Sequence, residues 1–454
     1  MFKNLLLIIS VFVLSSCGSD DGPGYQEPYI PEPEDPPAVD PISDTELLNL
    51  TQQTTFKYFW DFANSNSGAA RERYHTDNPS LNQNVVTSGG SGFGLMAILV
   101  GIERGFITRQ QGVDRLKTIL NFFQGANRFH GAWSHWLDGG TGNVIPFSSQ
   151  DNGGDLVETA FLAQGLICIK EYFKNGSAEE QALANQADML WKGVEWDWYT
   201  QGQNALFWHW SPNFGFAINL KLTGYNETLI AYVLGAASPD HAIPVAAYHE
   251  GWARNGAIVS TESQYGYQLI LDHVGSGTGP LFWAHYSFLG LDPRQLSDQY
   301  AHYWNLNVNH TNINYAYCVA NPKNYKDYGA DCWGLTASYT RNSDGTVGYN
   351  AHDPENDTGV ISPTAAISSI PYTPQKSLDA MHYFYNKKNI LLGPAGFYDA
   401  FSPQYNDWVT PRYLAIDQGP EIIMIENYRS GLLWNLFMQN EDVKRGLDAL
   451  GFNY

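Results

Sequence analysis

Apolar residues recur along this chain mostly with helical spacing. Leu95, Ile98, Leu99 and Ile102 fall at i, i+3, i+4 and i+7, and Leu116, Ile119, Leu120 and Phe123 repeat the pattern. Phe56, Phe59 and Trp60, then Leu162, Leu166 and Ile169, then Leu432, Leu433, Leu436 and Phe437, predict further helices. Strand-like alternation is scarce. Residues 110–123 carry charge on one face, as a helix at the surface does. Residues 91–102, 156–169 and 227–237 are apolar nearly all round, which predicts burial. Alternation of buried and half-exposed helices predicts an all-α chain arranged as an α/α toroid, and the lack of a fixed repeat period argues against a solenoid. Long loops rich in Trp, Tyr, His, Asn and Gly, at 196–219 and 305–357, should gather at one mouth. If inner and outer helices run antiparallel, every inner helix starts at that mouth, and acidic residues at those starts converge there.

The first residues do not belong to this fold. Lys3, an apolar run from Leu5 to Leu14 and the small residues Ser15 and Ser16 lead into Cys17. The run is too short to span a bilayer. Leu14-Ser-Ser-Cys17 resembles the bacterial lipobox, which implies a signal peptide over 1–16 and a lipidated Cys17. Residues 17–43, rich in Pro, Asp, Glu and Gly, then form a tether. Ser19-Asp-Asp21 resembles the export signal of Bacteroidetes surface lipoproteins. The expected location is therefore extracytoplasmic, on the outer membrane. Residues 44–454 show no further Pro-rich break and read as one domain.

Composition narrows the partners. An apolar content of 43% with only 16% charge supports a large core. A net charge of −21 disfavours nucleic acid and anionic surfaces, and suits a neutral substrate and a monomer that meets the membrane only through its lipid. Cys318 and Cys332 lie in loop-like sequence and are candidates for a disulfide in an oxidising compartment. Cys168 reads as core. No spacing points to a metal, and no cofactor is expected. The glycine run from Gly89 to Gly94 has neither a preceding strand nor a following Lys, so close helix packing explains it better than a phosphate loop.

Three acidic constellations carry the candidate chemistry. Asp151-Asn-Gly-Gly-Asp155-Leu-Val-Glu158 places Asp155 at a helix start. A capping box would explain Asp155 and Glu158, but not Asp151 or the paired glycines. Glu227 shares a helical face with Ile230, Ala231 and Leu234. Asp417 precedes Pro420, which reads as the first residue of a helix. Glycoside hydrolysis needs two carboxyl groups whose environments push their proton affinities apart. Burial raises a carboxyl pKa more than a helix start lowers it, so Glu227 is the candidate acid. Asp417, beside Gln418 and Gly419, looks wetter and suits the base. Aromatic and basic residues would bind the sugar: Trp133, His135 and Trp136; Trp208 and His209; Trp283 and His285 beside Phe282 and Tyr286; and Arg71 and Arg73.

These residues together resemble the bacterial glucoamylase-like proteins that include the endo-β-1,2-glucanases of glycoside hydrolase family 144. The resemblance runs from Thr45 to the C-terminus. It rests on Tyr58-Phe-Trp-Asp-Phe-Ala63, Arg71-Glu-Arg73, Arg128-Phe-His-Gly131, the run from Asp151 to Glu158 and Trp208-His-Trp-Ser-Pro212. It continues through Asn226-Glu227, the run from Phe282 to Pro293, Gly334-Leu-Thr-Ala337 and the run from Ile416 to Ser430. It implies an (α/α)6 barrel and inverting hydrolysis of β-1,2-glucan or sophoro-oligosaccharides. It also implies roles for Asp151, Asp155, Glu158, Glu227 and Asp417, with Glu227 as acid and Asp417 as a base that reaches its water through a relay. Phe216 departs from the Trp expected in some relatives, which bears on chain-length preference. A hydrolase of another glucan linkage, a non-catalytic glycan-binding lipoprotein and a lyase on the same toroid are the competing readings. The five acids at helix starts argue against a binding protein, and the shortage of Arg and Lys argues against a lyase.

Overall fold

Thirteen α-helices account for most of the regular structure among the described residues. In chain order they are α1 Asp44–Trp60, α2 Ser88–Glu103, α3 Arg109–Gly125, α4 Leu156–Phe173, α5 Ala178–Lys192, α6 Leu229–Ala237 and α7 Tyr303–Ala320. Then follow α8 Pro363–Ser368, α9 Pro374–Asn386, α10 Lys388–Leu391, α11 Ala415–Arg429, α12 Leu432–Met438 and α13 Glu441–Leu450. The structure is a computed structural model and describes residues 42–275 and 277–454. The expected signal peptide, Cys17 and nearly all of the expected tether lie outside the described residues.

The two kinds of helix read from the sequence are present. Helices α1, α3 and α5 each begin with a capping box, built by Ser43 with Glu46, Thr108 with Gln111, and Ser177 with Glu180. In α3 the buried positions are Gly112, Val113, Leu116, Ile119, Leu120 and Phe123, one stripe on an otherwise wet helix. In α2, by contrast, Ser88 to Gly101 are all buried, and α4, α6 and α8 are similar. The buried helices are neighbours: α2 packs on α4 and α11, α4 on α6, and α11 on α8. Two 3₁₀ turns, Leu281–Ala284 and Tyr286–Phe288, bridge α6 and α8. There the Ser287 hydroxyl accepts from the Ile230 amide at 3.2 Å, and His285 Nε2 lies 3.0 Å from Ser369 Oγ. The glycine run brings α2 and α4 together: a Cβ on Gly92 would lie 2.3 Å from the Phe161 carbonyl, and one on Gly165 2.3 Å from the Gly92 carbonyl.

Three expectations need correction. The stretch at 305–357 is not one loop, because α7 occupies its first part. Asn307, His310, Asn312 and Asn314 are buried in that helix, which blurred its apolar stripe. Asn314 settles its amide on the backbone of Leu335, with bonds of 3.2 and 3.3 Å. Pro420 does not open a helix but lies inside α11. Proline has no N–H to give the carbonyl of Ile416, so α11 runs through this position without that helical hydrogen bond. Asp417 therefore belongs to the helix. Finally, Cys318 and Cys332 are separate buried thiols. Cys318 bonds to the backbone of Gly334 and Cys332 to Tyr383, so each sulfur has its own partner.

The strands are short, and the longest pair is the hairpin of Ala337–Arg341 with Val347–Ala351. Two others matter for the site. Arg73–His75 pairs with Arg412–Leu414 at the entry to α11, and Gly154–Asp155 pairs with His209–Trp210 at the entry to α4.

Candidate active site

The starts of α2, α4, α6 and α11 surround a cavity of about 790 Å³. Of the residues predicted for the site, Arg73, His135, Trp136, Glu158, Trp208, Glu227 and Trp283 line it. Asp155 and Asp417 stand directly behind that wall.

At the start of α4, Asp155 is fully buried and is the N-cap. Its Oδ1 accepts from the amides of Val157 and Glu158, both at 2.9 Å. Its Oδ2 lies 2.8 Å from His135 Nδ1. The sequence allowed a capping box here, but Glu158 does not reach back to close it. Glu158 Oε2 instead accepts from the Thr87 hydroxyl at 2.7 Å and the Gly89 amide at 2.8 Å, and its Oε1 lies 4.0 Å from His135 Nε2. Burial works against a charge on His135, but Glu158, Asp155 and Asp151 outweigh it and hold the imidazole pKa up at about 9. Burial likewise raises the pKa of Glu158, opposed by the imidazolium. His135, Asp151 and Asp155 offer ligand atoms within 4.8 Å of one another. The protonated imidazole already places a cation among these carboxylates, and its Nδ1 is engaged by Asp155.

Glu227 precedes α6 and opens onto the cavity from deep within the protein. That burial, helped by the charges of Asp155 and Glu158, pushes its carboxyl up to about 7. The expectation of a carboxylate carried by the helix face is thus shifted: α6 begins at Leu229, and Glu227 is held just before it by the Ser287 hydroxyl, which donates to its carbonyl at 2.5 Å.

Asp417 overturns the expectation of a wet base. Its exposure is 3%. The Tyr286 hydroxyl, which lines the cavity, donates to its Oδ1 at 3.3 Å. Burial and the neighbouring Asp399 push its proton affinity well above that of an ordinary aspartate. Sequence reasoning missed Asp399, although a lone acid between Phe397-Tyr398 and Ala400-Phe401 was a signal. It also missed Thr87 and Tyr349, for which the chain gave no local sign.

Besides Asp155 and Asp417, five predicted residues do not reach the cavity wall. Trp133 is fully buried, with its indole N–H donated to the Phe123 carbonyl at 2.9 Å. Arg71 spends its guanidinium on the carbonyls of Pro79 and Leu81. His285 is engaged by Ser369 in the buried bridge. Asp151 and His209 pair with each other at 3.0 Å, both buried, on the rear of the strand that carries Asp155. Aromatic and basic residues were read as sugar contacts and Asp151 as a catalytic acid, but Trp133 and Arg71 are engaged by backbone carbonyls, His285 by Ser369, and Asp151 and His209 by each other.

Glu158, Glu227 and Asp417, three carboxyl groups whose proton affinity burial raises, thus face or back one cavity with aromatic walls, an arrangement suited to acid/base chemistry on a neutral ligand. Comparison with known proteins agrees. Residues 219–441 match the family model Glycoamylase, described as "Putative glucoamylase". The chain is similar to the endo-β-1,2-glucanase of Chitinophaga pinensis, solved with sophorotriose and glucose. The two are 55% identical with a TM-score of 0.88, over 91% of this chain and 99% of that one. It is 43% identical to the exo β-1,2-glucooligosaccharide sophorohydrolase of Parabacteroides distasonis over 432 residues, which is 90% of this chain. It spans 58% of the length of that relative. The endo-β-1,2-glucanase of Talaromyces funiculosus shares the fold, with a TM-score of 0.61 at 12% identity, over 89% of this chain and 92% of that one.

Proposed function

This chain belongs to the glycoamylase family, and from that premise we propose that it is an inverting glycoside hydrolase acting on β-1,2-linked glucan. The observation that carries this reading is Glu227, a carboxyl in the cavity wall whose pKa of about 7 keeps much of it protonated near neutrality. In the proposed reaction Glu227 gives its proton to the glycosidic oxygen as the bond to C1 breaks. Water attacks C1 from the opposite face and loses a proton to Asp417. Asp417 lies behind the wall, so the proton reaches it through a relay along the Tyr286 side of the cavity. His135 and Glu158 hold the glucose at the cleavage point while Asp155 fixes His135 from behind the wall, and Trp136, Trp208 and Trp283 offer faces to sugar rings. The activities of the two relatives, one an endo-β-1,2-glucanase and one an exo-acting sophorohydrolase, support β-1,2-glucan as substrate.

Three further features belong to this proposal. The buried helices with the 281–288 bridge form the inner layer of an (α/α)6 barrel. Residues 44–454 act as one catalytic domain and as a monomer. Lipidation at Cys17 holds that domain outside the cytoplasm on a tether, near the cell that takes up its products.

Incubation with linear β-1,2-glucan and, separately, α-1,4-glucan, following new reducing ends and the anomer first released, tests the reading. Release of the inverted anomer from the β-1,2-glucan alone is expected, with product lengths separating endo from exo action. Cleavage of only the α-1,4-glucan, or of neither, overturns it.

A further inference from the structure

Behind the cavity, two aspartates meet with no cation among the described residues in direct contact. Asp417 is held by the first turn of α11, and Asp399 by the strand entry at Ala400–Ser402. The backbone of Asp399 is fixed on both sides: its amide donates to the Arg412 carbonyl at 3.0 Å, and its carbonyl accepts from Ser362 Oγ at 2.7 Å. Asp399 is fully buried and Asp417 nearly so. Their carboxyl groups are in hydrogen-bond contact. Each also has an outer partner, the Tyr339 amide on Asp399 Oδ2 at 2.8 Å and the Tyr286 hydroxyl on Asp417 Oδ1. The other two oxygens, Asp399 Oδ1 and Asp417 Oδ2, are buried and receive no hydrogen bond from any donor among the described residues.

Two touching carboxylates in that position cannot both be ionised, since the charges repel and burial denies both the hydration of an exposed carboxylate. A contact between two carboxyl groups needs a proton. We propose that Asp399 and Asp417 share one proton across the working pH range, so that Asp399, which never touches substrate, is the positioning residue that sets the proton affinity of the base. This rests on the reading of Asp417 as base. The groups facing the pair are Tyr286 from the bridge, Tyr349 from the hairpin at 347–351, Glu421 one turn along α11, and Glu72, Arg73 and Tyr339 around Asp399. Only Arg73 among these is a cation, and it is already engaged by Glu72.

The proton count is closed. Before reaction the pair holds one proton and Glu227 holds another. As the C1–O bond breaks, Glu227 protonates the leaving oxygen. The attacking water joins C1 and its proton makes the pair doubly protonated. The second proton then returns to Glu227 through solvent. Uptake of that second proton from solvent in the resting enzyme is what ends activity on the acid side, and burial of Asp399 places that limb above the pH at which an ordinary aspartate titrates.

Asp399→Asn replaces the shared proton by a permanent N–H donor and removes the second acid. The acid limb of the kcat profile is expected to move down by about one pH unit or more, with KM little changed. The substrate-free protein carries infrared C=O bands from its buried carboxylic acids, Glu421 and Glu227 among them, and the wild-type-minus-variant spectrum of Asp399→Asn should show the loss of one further component. Asp417→Asn should remove the same component, which keeps the test open if Asp399→Asn does not fold. An unmoved acid limb, or a difference spectrum with no lost acid component in either variant, overturns the shared proton. If Asp417→Asn is inactive while Asp399→Asn keeps the wild-type profile and spectrum, the pair is refuted and the base role stands. If Asp417→Asn is active, the base role is refuted, and the infrared difference spectrum alone decides the pair.

Discussion

Gly89 and Glu158 are set so closely that the amide of Gly89 donates to Glu158 Oε2 at 2.8 Å, while a Cβ at residue 89 would lie 2.7 Å from that same oxygen. The first turn of α2 thus grips a carboxylate on α4, and only glycine leaves room for the grip. Gly89→Ala is expected to displace Glu158 from His135 and lower kcat/KM on the order of 10²-fold, as a shift of about an ångström in an aligned group does. Tm should fall by only a few degrees. Steady-state kinetics beside a thermal melt check both. Unchanged kcat/KM would mean that Glu158 does not need this grip.

Glu227 should govern the alkaline side of the pH profile. Its carboxyl must be protonated to act as acid, so activity is lost as pH rises through about 7. Glu227→Gln should lower kcat by about 10²–10⁴-fold and remove that alkaline limb, because nothing at 227 then titrates. The profile of the residual activity between pH 5 and 9 is the measurement. A limb that persists in the variant assigns the titration elsewhere.

The tryptophans divide into two kinds with opposite signatures. Trp208 lines the cavity, so Trp208→Ala should raise KM roughly five- to tenfold, about 1 kcal/mol, with kcat and folding stability nearly kept. Trp133 fills the core under the Arg128 guanidinium. Trp133→Ala should cost about 3–5 kcal/mol of stability. Denaturant titration and kinetics on both variants separate the two roles.

How much of this was legible in the chain depended on how local the cause was. The stripe on α3 and the apolar run of α2 follow from side chains within one helix, and both could be read directly. Helix α7 could not, because Asn307 and Asn314 are buried by partners far along the chain, Tyr372 and Leu335. Glu227 was legible through its apolar company. The environment of Asp417 was misread for the opposite reason. Gln418 and Gly419 look wet in sequence, but the Gln418 side chain is buried and donates to the Phe397 carbonyl, and Gly419 packs against Phe93. Asp399 arrives from a different strand, so no spacing within the sequence announces the pair. Cys318 and Cys332 showed only that a disulfide was possible, and the thiol partners decided against it.

If those cysteines are thiols, reductant should leave the protein unchanged. Tm measured with and without dithiothreitol is expected to agree within error, and thiol titration of the unfolded 43–454 segment should find three reactive groups, Cys168, Cys318 and Cys332. A drop in Tm on reduction, or a single reactive thiol before reduction, would restore the bridge.

Glu421 offers a stability test that activity does not enter. It is fully buried one turn from Asp417, accepts the Thr55 hydroxyl, and burial pushes its pKa up to about 8. In the unfolded chain a glutamate titrates near about 4.3. Between those two values the folded protein holds a proton that the unfolded chain has released, so stability falls as pH rises through this window and levels off above it. The folded form therefore loses on the order of 3–5 kcal/mol between about pH 4 and 8 from this one group. Glu421→Gln keeps an oxygen for Thr55 and cannot ionise, so its stability should lack that decline. The quantity to measure is the change in unfolding free energy between the two pH values, wild type against variant, by denaturant titration. The absolute stabilities also carry the cost of a buried amide, which the difference across pH cancels. Parallel curves for the two proteins would show that Glu421 is not held protonated by its burial.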